Sequence, residues 1–206
     1  MRFLKITLLL LAVISLTSCA SAYKSIQPKT INYLSSNVEK NIQLEYKYDL
    51  LDKKYAKKEV KKGIKVVALK VTNNSNQDVM FGRDVKLAYA NGNEVFVMEN
   101  ERVFKSLKQS PATYLLYLLL TPMNLHTSST NSQGIIIEES TTPIGLVIGP
   151  GLTLGNMMIA SSANKTFKSD LTVYNLNGTV IKAGETKYGV VGLKTETFEA
   201  LKLIVQ

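Results

Sequence analysis

The chain has no tryptophan, one cysteine, one histidine and only five prolines in 206 residues. Cys19, being alone, cannot be half of an internal disulfide. The lack of tryptophan and the shortage of other aromatics disfavour an acid-pair glycosidase, whose site stacks sugars on aromatic rings. Acids are outnumbered by lysine and arginine, 16 to 25. Charge of either sign is nearly missing from the middle. Between Lys108 and Lys165 the only charged side chains are Glu138 and Glu139. No serine sits in a Gly-x-Ser-x-Gly nucleophile turn, and no Lys-Thr-Gly accompanies Ser162-Ala163-Asn164-Lys165, so that Ser-x-x-Lys match carries no hydrolase reading.

What is present begins with an export pattern. Arg2 and Lys5 precede an almost wholly apolar run, Ile6 to Leu16, and small residues then lead to Cys19. The run is roughly 11 residues, against about 20 for a membrane-spanning helix, so it reads as a signal and not as a permanent span. Leu16-Thr17-Ser18-Cys19 resembles the lipobox of bacterial lipoproteins. That resemblance implies cleavage before Cys19, a diacylglyceryl thioether on its sulfur and an acylated new N-terminus. It also implies the outer membrane, since Ala20 is not the aspartate that retains lipoproteins in the inner membrane of enteric relatives. The residues after Cys19 are not acidic, which favours the periplasmic leaflet. With Cys19 lipidated and His126 the only histidine, neither sulfur nor a second imidazole remains for a zinc site. No cofactor is implied, and nucleic acid is a poor partner for an exported, anchored chain.

Removal of residues 1–18 leaves 188 residues (206 minus 18), the size of one domain. Residues 19–38 read as a lipidated tether, and 39–206 as one β-sandwich domain carrying an insertion at about 106–168. The strand evidence is period-two alternation. Ile42, Leu44, Tyr46, Tyr48 and Leu50 alternate with polar residues, as do Val85, Leu87 and Tyr89. Ile64 to Thr72 is β-branched and stops at Asn73-Asn74-Ser75-Asn76, a turn cluster. Asn91-Gly92 predicts a hairpin between Tyr89 and the run Val95 to Met98, because a type I′ turn needs positive φ. Leu171 and Val173, Val180 and Ile181, Tyr188 to Leu193 and Leu201 to Val205 complete the set, with turns at Asn177-Gly178 and Ala183-Gly184-Glu185. Short strands at this spacing suggest a sandwich. Val71-Thr72-Asn73-Asn74-Ser75 and Ile181-Lys182-Ala183-Gly184-Glu185-Thr186 resemble immunoglobulin-like modules of bacterial lipoproteins, a likeness that implies a fold and no catalytic residue.

The insertion is the least ordinary stretch. Ala112 to Leu125 predicts a helix of roughly 21 Å, too short to cross a bilayer alone. Tyr114 and Tyr117 would share one face of it, suited to a membrane interface. A polar loop, Thr127 to Gln133, precedes the uncharged segment Pro143 to Ala163. There Gly145-x-x-x-Gly149 and Gly151-x-x-x-Gly155 place small residues on helix faces, with Pro150 expected to break or kink a single helix. The glycines from 149 to 155 with Asp170 mimic a dinucleotide fingerprint, but no repeated strand–helix pattern surrounds them.

Basic charge is concentrated as well. Lys40 to Lys70 holds ten lysines and four acids, a local excess of +6 in a chain of +9. Pairs at 53–54, 57–58 and 61–62 predict a helix from Asp52 to Gly63, with a basic face opposite Tyr55, Ala56 and Val60. Such a face suits anionic headgroups or an anionic envelope polymer. The candidate membrane or partner surface is therefore Tyr114, Leu116, Tyr117 and Leu119 together with Lys54, Lys58 and Lys62. The sequence points to a lipid-anchored cell-envelope module without enzymatic activity that binds a protein or polymer. The alternative is a carrier or sensor of a hydrophobic ligand that uses the insertion as pocket or lid. An envelope hydrolase comes last.

Overall fold

The computed structural model describes residues 19–206; the expected signal and the expected lipobox residues before Cys19 lie outside the described residues. The protein is mainly β, with several small antiparallel sheets and three α-helices among the described residues. It divides into two compact units. One, the body, contains residues 23–109 and 163–206, and the other contains residues 110–162 together with 19–22.

The body is built on β1 (Ser35–Glu39), β2 (Ile42–Lys47), β3 (Ile64–Asn73), β6 (Val97–Met98) and β10 (Thr186–Lys194), arranged in the order β1-β2-β3-β10-β6. Two further pairs, β5 (Val85–Tyr89) with β11 (Leu201–Val205) and β4 (Val79–Met80) with β9 (Val180–Ile181), supply a second set of apolar side chains. Leu44, Leu69, Val71, Val191 and Leu193 from the large sheet share one core with Val85, Leu87, Leu201, Leu203, Phe81 and Ile181. β3 has near-continuous burial because its other face is covered too. There Ile64, Val66 and Val190 meet α1 (Lys53–Lys62), α2 (Asn100–Leu107) and the last part of α3 (Gly145–Val173) through Tyr55, Val103, Leu107, Phe167 and Leu171. Gly192 is required at this contact, since a Cβ on it would lie 2.2 Å from the Val103 side chain.

Several sequence expectations come out differently. Asn91-Gly92 does turn the chain, with Gly92 at φ +93°, and the Val95 amide still bonds the Leu87 carbonyl at 2.9 Å. Beyond that point β6 leaves β5 and pairs with Gly192 and Leu193 at the edge of the large sheet. Leu171 and Val173 are not a strand. They end α3, because Ala163, Phe167, Asp170 and Leu171 recur at helical spacing on a face that the body buries. Residues 23–31, expected within a tether, are packed: Ile26 is buried, and the Tyr23 ring lies 5.2 Å from Tyr55 and 5.3 Å from Phe167. Asp170 explains the docking. Its carboxylate accepts from Tyr23 Oη (2.9 Å), Ser25 Oγ (3.0 Å) and the Ile26 amide (2.8 Å). Burial, together with that negative charge, pushes the Tyr23 hydroxyl far above the usual phenol range, so it stays a donor.

Candidate functional site

The unit containing residues 110–162 is assembled from a 3₁₀ helix (Pro111–Leu120), a hairpin of β7 (Leu125–Thr130) and β8 (Ile136–Thr142), and the first part of α3. The expected α-helix over 112–125 is thus replaced by a tighter one. With three residues per turn, every third side chain falls on one line. Tyr114 and Tyr117 are buried and stack at 6.4 Å with rings 7° apart, while Leu115, Leu116, Leu118 and Leu119 between and after them stay exposed. The tyrosines expected at a membrane interface are therefore inward packing residues that share a cluster with Ala160. Leu116 (68 % exposed) and Leu119 (75 %) are surface residues.

α3 passes through Pro150 as one continuous helix. Its buried positions between 145 and 160 are Gly145, Gly149, Thr153, Asn156 and Ala160, with no large apolar side chain among them. The first two explain the first small-residue motif. A Cβ on Gly145 would lie 2.2 Å from the Leu120 carbonyl, and one on Gly149 would lie 2.9 Å from Thr121 Oγ1, so only glycine lets the two segments approach. Gly151 and Gly155 face open space. The polar members are satisfied locally. Thr153 Oγ1 donates to the Gly149 carbonyl at 2.9 Å, and Asn156 Nδ2 donates to the Leu152 carbonyl at 2.8 Å. Asn156 Oδ1 accepts the backbone N–H of Ala20 at 2.5 Å, and Ala20 packs on the Tyr114–Tyr117–Ala160 cluster. The residue immediately before it, Cys19, is exposed.

Leu146, Val147, Ile148, Leu152, Leu154, Met158 and Ile159 all lie on the exposed side of the same helix segment. α3 is also long and apolar enough to cross a membrane by length and composition. The expected polar loop over 127–133 is instead largely strand. The hairpin is exposed on both faces, including Ile135, Ile136 and Ile137, and His126 sits in β7 with Nδ1 2.8 Å from Thr141 Oγ1.

In the body, the lysine helix forms between Asp52 and Gly63, the latter left-handed at φ +58°. Its buried residues are Tyr55 and Glu59, whereas Val60 is exposed at 73 %. The basic face is accordingly interrupted. Lys58 is half-buried and donates to the Lys108 carbonyl, and burial and then the neighbouring lysines lower its pKa. Lys54 is also half-buried, and Lys62 is exposed. Glu59 accepts the Val66 amide at 2.7 Å, and burial pushes its carboxyl up to about 7. That inward glutamate was not foreseen, because its neighbours in sequence read as a solvated charge run.

A second unforeseen group is Asn164. Its side chain accepts the Gln109 amide at 2.8 Å and returns a bond to the Gln109 carbonyl at 2.9 Å, while Tyr55 Oη donates to it at 3.0 Å. This clamp joins the chain just before residue 110 to the chain just after residue 162. Ser162 and Lys165, the ends of the Ser-x-x-Lys match, are both exposed on α3, and the glycines at 149, 151 and 155 lie inside the helix and not at a strand-to-helix turn. A cleft of about 360 Å³ is lined by Phe81, Lys86, Leu87, Val95 and Phe96, all of the body. Among the described residues, no group of three or more His, Cys, Asp or Glu is placed to hold a metal ion. Comparison with protein-family models, curated proteins and solved structures returns no significant match.

Proposed function

We propose that this protein is a lipid-anchored component of a bacterial cell envelope. Acyl groups on Cys19 hold it to the periplasmic leaflet of an outer membrane, and it acts there as a non-enzymatic binding or structural module. The observation that carries this reading is the placement of the attachment residue. Cys19 is exposed, while Ala20 is already packed and hydrogen-bonded in a unit whose 3₁₀ helix and first part of α3 expose leucine, isoleucine, valine and methionine. Exposed large apolar side chains in such number mark a surface that meets lipid or a partner, and a protein tied to lipid at that point has a use for it. The body reads as an immunoglobulin-like sandwich. Support comes from the core shared between the five-stranded sheet and the β5–β11 and β4–β9 pairs. The carrier reading has less support, because the apolar side chains of the insertion are exposed and the cleft belongs to the body.

Growth of the expressing bacterium with labelled palmitate tests the anchor. The expected result is label in the mature protein, abolished by Cys19→Ala, with accumulation of the uncleaved precursor. Unlabelled protein of mature size would end the reading.

A further inference from the structure

We infer that the 3₁₀ helix (Pro111–Leu120) and residues 145–162 of α3 are lipid-embedded, immersed in the hydrocarbon of the bilayer beside the acyl chains of Cys19. The inference rests on the anchoring reading for the membrane at hand, and on geometry for its choice of occupant. At 100° per residue, the buried positions 145, 149, 153, 156 and 160 occupy an arc of about 80° on α3. Apart from Gly151 and Gly155, the exposed positions (146, 147, 148, 152, 154, 158 and 159) are large and apolar, and they spread over an arc of roughly 240°. A groove on a protein partner, or a second copy of this chain, covers one stripe of a helix. Hydrocarbon covers every outward direction at once.

The polarity is also inverted relative to a water-soluble fold. The small and polar residues (Gly145, Gly149, Thr153 and Asn156) face inward, where each polar group returns its hydrogen bonds to backbone, and the large apolar residues face out. Small-residue packing and internally satisfied Thr and Asn side chains are what a helix needs where no water is available. No charged side chain interrupts α3 from Gly145 to Asn164, a length of about 30 Å. Ala20, one residue after the acylated position, is bonded to Asn156 on this same segment, so the attached chains would begin beside this helix. The β7–β8 hairpin lies outside the hydrocarbon. Its edges carry unpaired backbone groups, and it holds Glu138, Glu139 and most of the serines and threonines of the unit.

The test uses the protein extracted from its own membrane and reconstituted in phosphatidylethanolamine–phosphatidylglycerol vesicles that contain brominated phosphatidylcholine. Single cysteines introduced as Met158→Cys, Leu116→Cys and, in the body, Asn76→Cys carry an environment-sensitive fluorophore. Fluorophores at 158 and 116 should be quenched several-fold more by brominated lipid than the one at 76, and should be shielded from aqueous iodide. Equal quenching at all three positions overturns the inference. So does shielding at 158 and 116 without lipid quenching, which would assign the face to a protein partner or a second copy. Two label sites on different helices keep the outcome readable if one variant misfolds. Counting reactive thiols separates the two readings. One per chain means Cys19 is a thioether, whereas two means that the anchor is absent, and the depth measurement is then repeated in a Cys19→Ser background.

Discussion

The two parts of α3 follow opposite rules within one unbroken helix. From Ala163 to Leu171 the buried residues include Phe167 and Leu171, and the exposed ones are Lys165, Lys168 and Ser169. From Gly145 to Ala160 the buried residues are small or polar, and the exposed ones are leucine, isoleucine, valine and methionine together with Gly151 and Gly155. Both parts are α-helical, so secondary structure alone does not cause the difference. On the lipid-embedded reading the difference lies in what each part is solvated by, and the contrast teaches that an apolar residue is informative only once its direction is known.

The comparison can be broken most directly by truncation. Phe167→Ala removes a fully buried ring that packs at 5.1 Å on Tyr55, and it should cost about 3–5 kcal/mol in urea unfolding. Met158→Ala, nine residues earlier and 73 % exposed, should change stability by less than about 0.5 kcal/mol. Similar losses at both sites would show that the early part of α3 is an ordinary core helix.

The next effect sharpens the body alone. Glu59 titrates at about 7 when folded, against an ordinary 4.5. The folded state therefore holds this proton more tightly than the unfolded chain does. The stability contributed by the group is complete below 4.5, and it is lost as pH rises through 7. Between these limits the body should lose about 3 kcal/mol, a loss that Glu59→Gln should remove from the pH profile of chemical denaturation. A profile unchanged by that substitution would mean that the carboxylate reaches water.

Asp170→Ala should cost about 2 kcal/mol, because it leaves the buried Ile26 amide and the Tyr23 hydroxyl without their acceptor. Amide exchange at Ile26 should accelerate while exchange in β3 does not. The last pair of effects concerns the glycines of α3. Gly145→Val forces a side chain against the Leu120 carbonyl and should destabilise the 110–162 unit by about 1–3 kcal/mol. Gly151→Ala meets nothing within 4 Å and should stabilise the helix by about 0.5–1 kcal/mol. Thermal unfolding in lipid vesicles reads both, and a reversal of their order would contradict the packing described for α3.

Much of the body was legible in the chain. Alternation at Ile42, Leu44 and Tyr46, and again at Val85 and Leu87, marks β2 and β5, because a strand with one buried face must alternate. The lysine helix and its Gly63 stop were legible for a similar local reason, since a left-handed C-cap selects glycine. Its rotation was not, since whether Glu59 or Val60 turns inward depends on Val66, which the chain brings back through β3. In the 110–162 unit the composition was plain and the geometry was hidden. A run such as Tyr-Leu-Leu-Tyr-Leu-Leu-Leu fits α and 3₁₀ spacing equally well, and packing against Gly145 and Gly149 selects the period that buries both tyrosines.

Taken alone, the sequence determined the uncharged middle, the positions of several turns and the period of the strands, since each is set by local sterics or by one residue's chemistry. Tertiary structure alone decided that Asp170 docks residues 23–26, that Asn164 clamps Gln109 and that the leucines of the middle face outward. Those outcomes depend on groups more than twenty positions apart in the chain, and for the first two more than fifty, and no local preference encodes which of two compatible faces will find a partner.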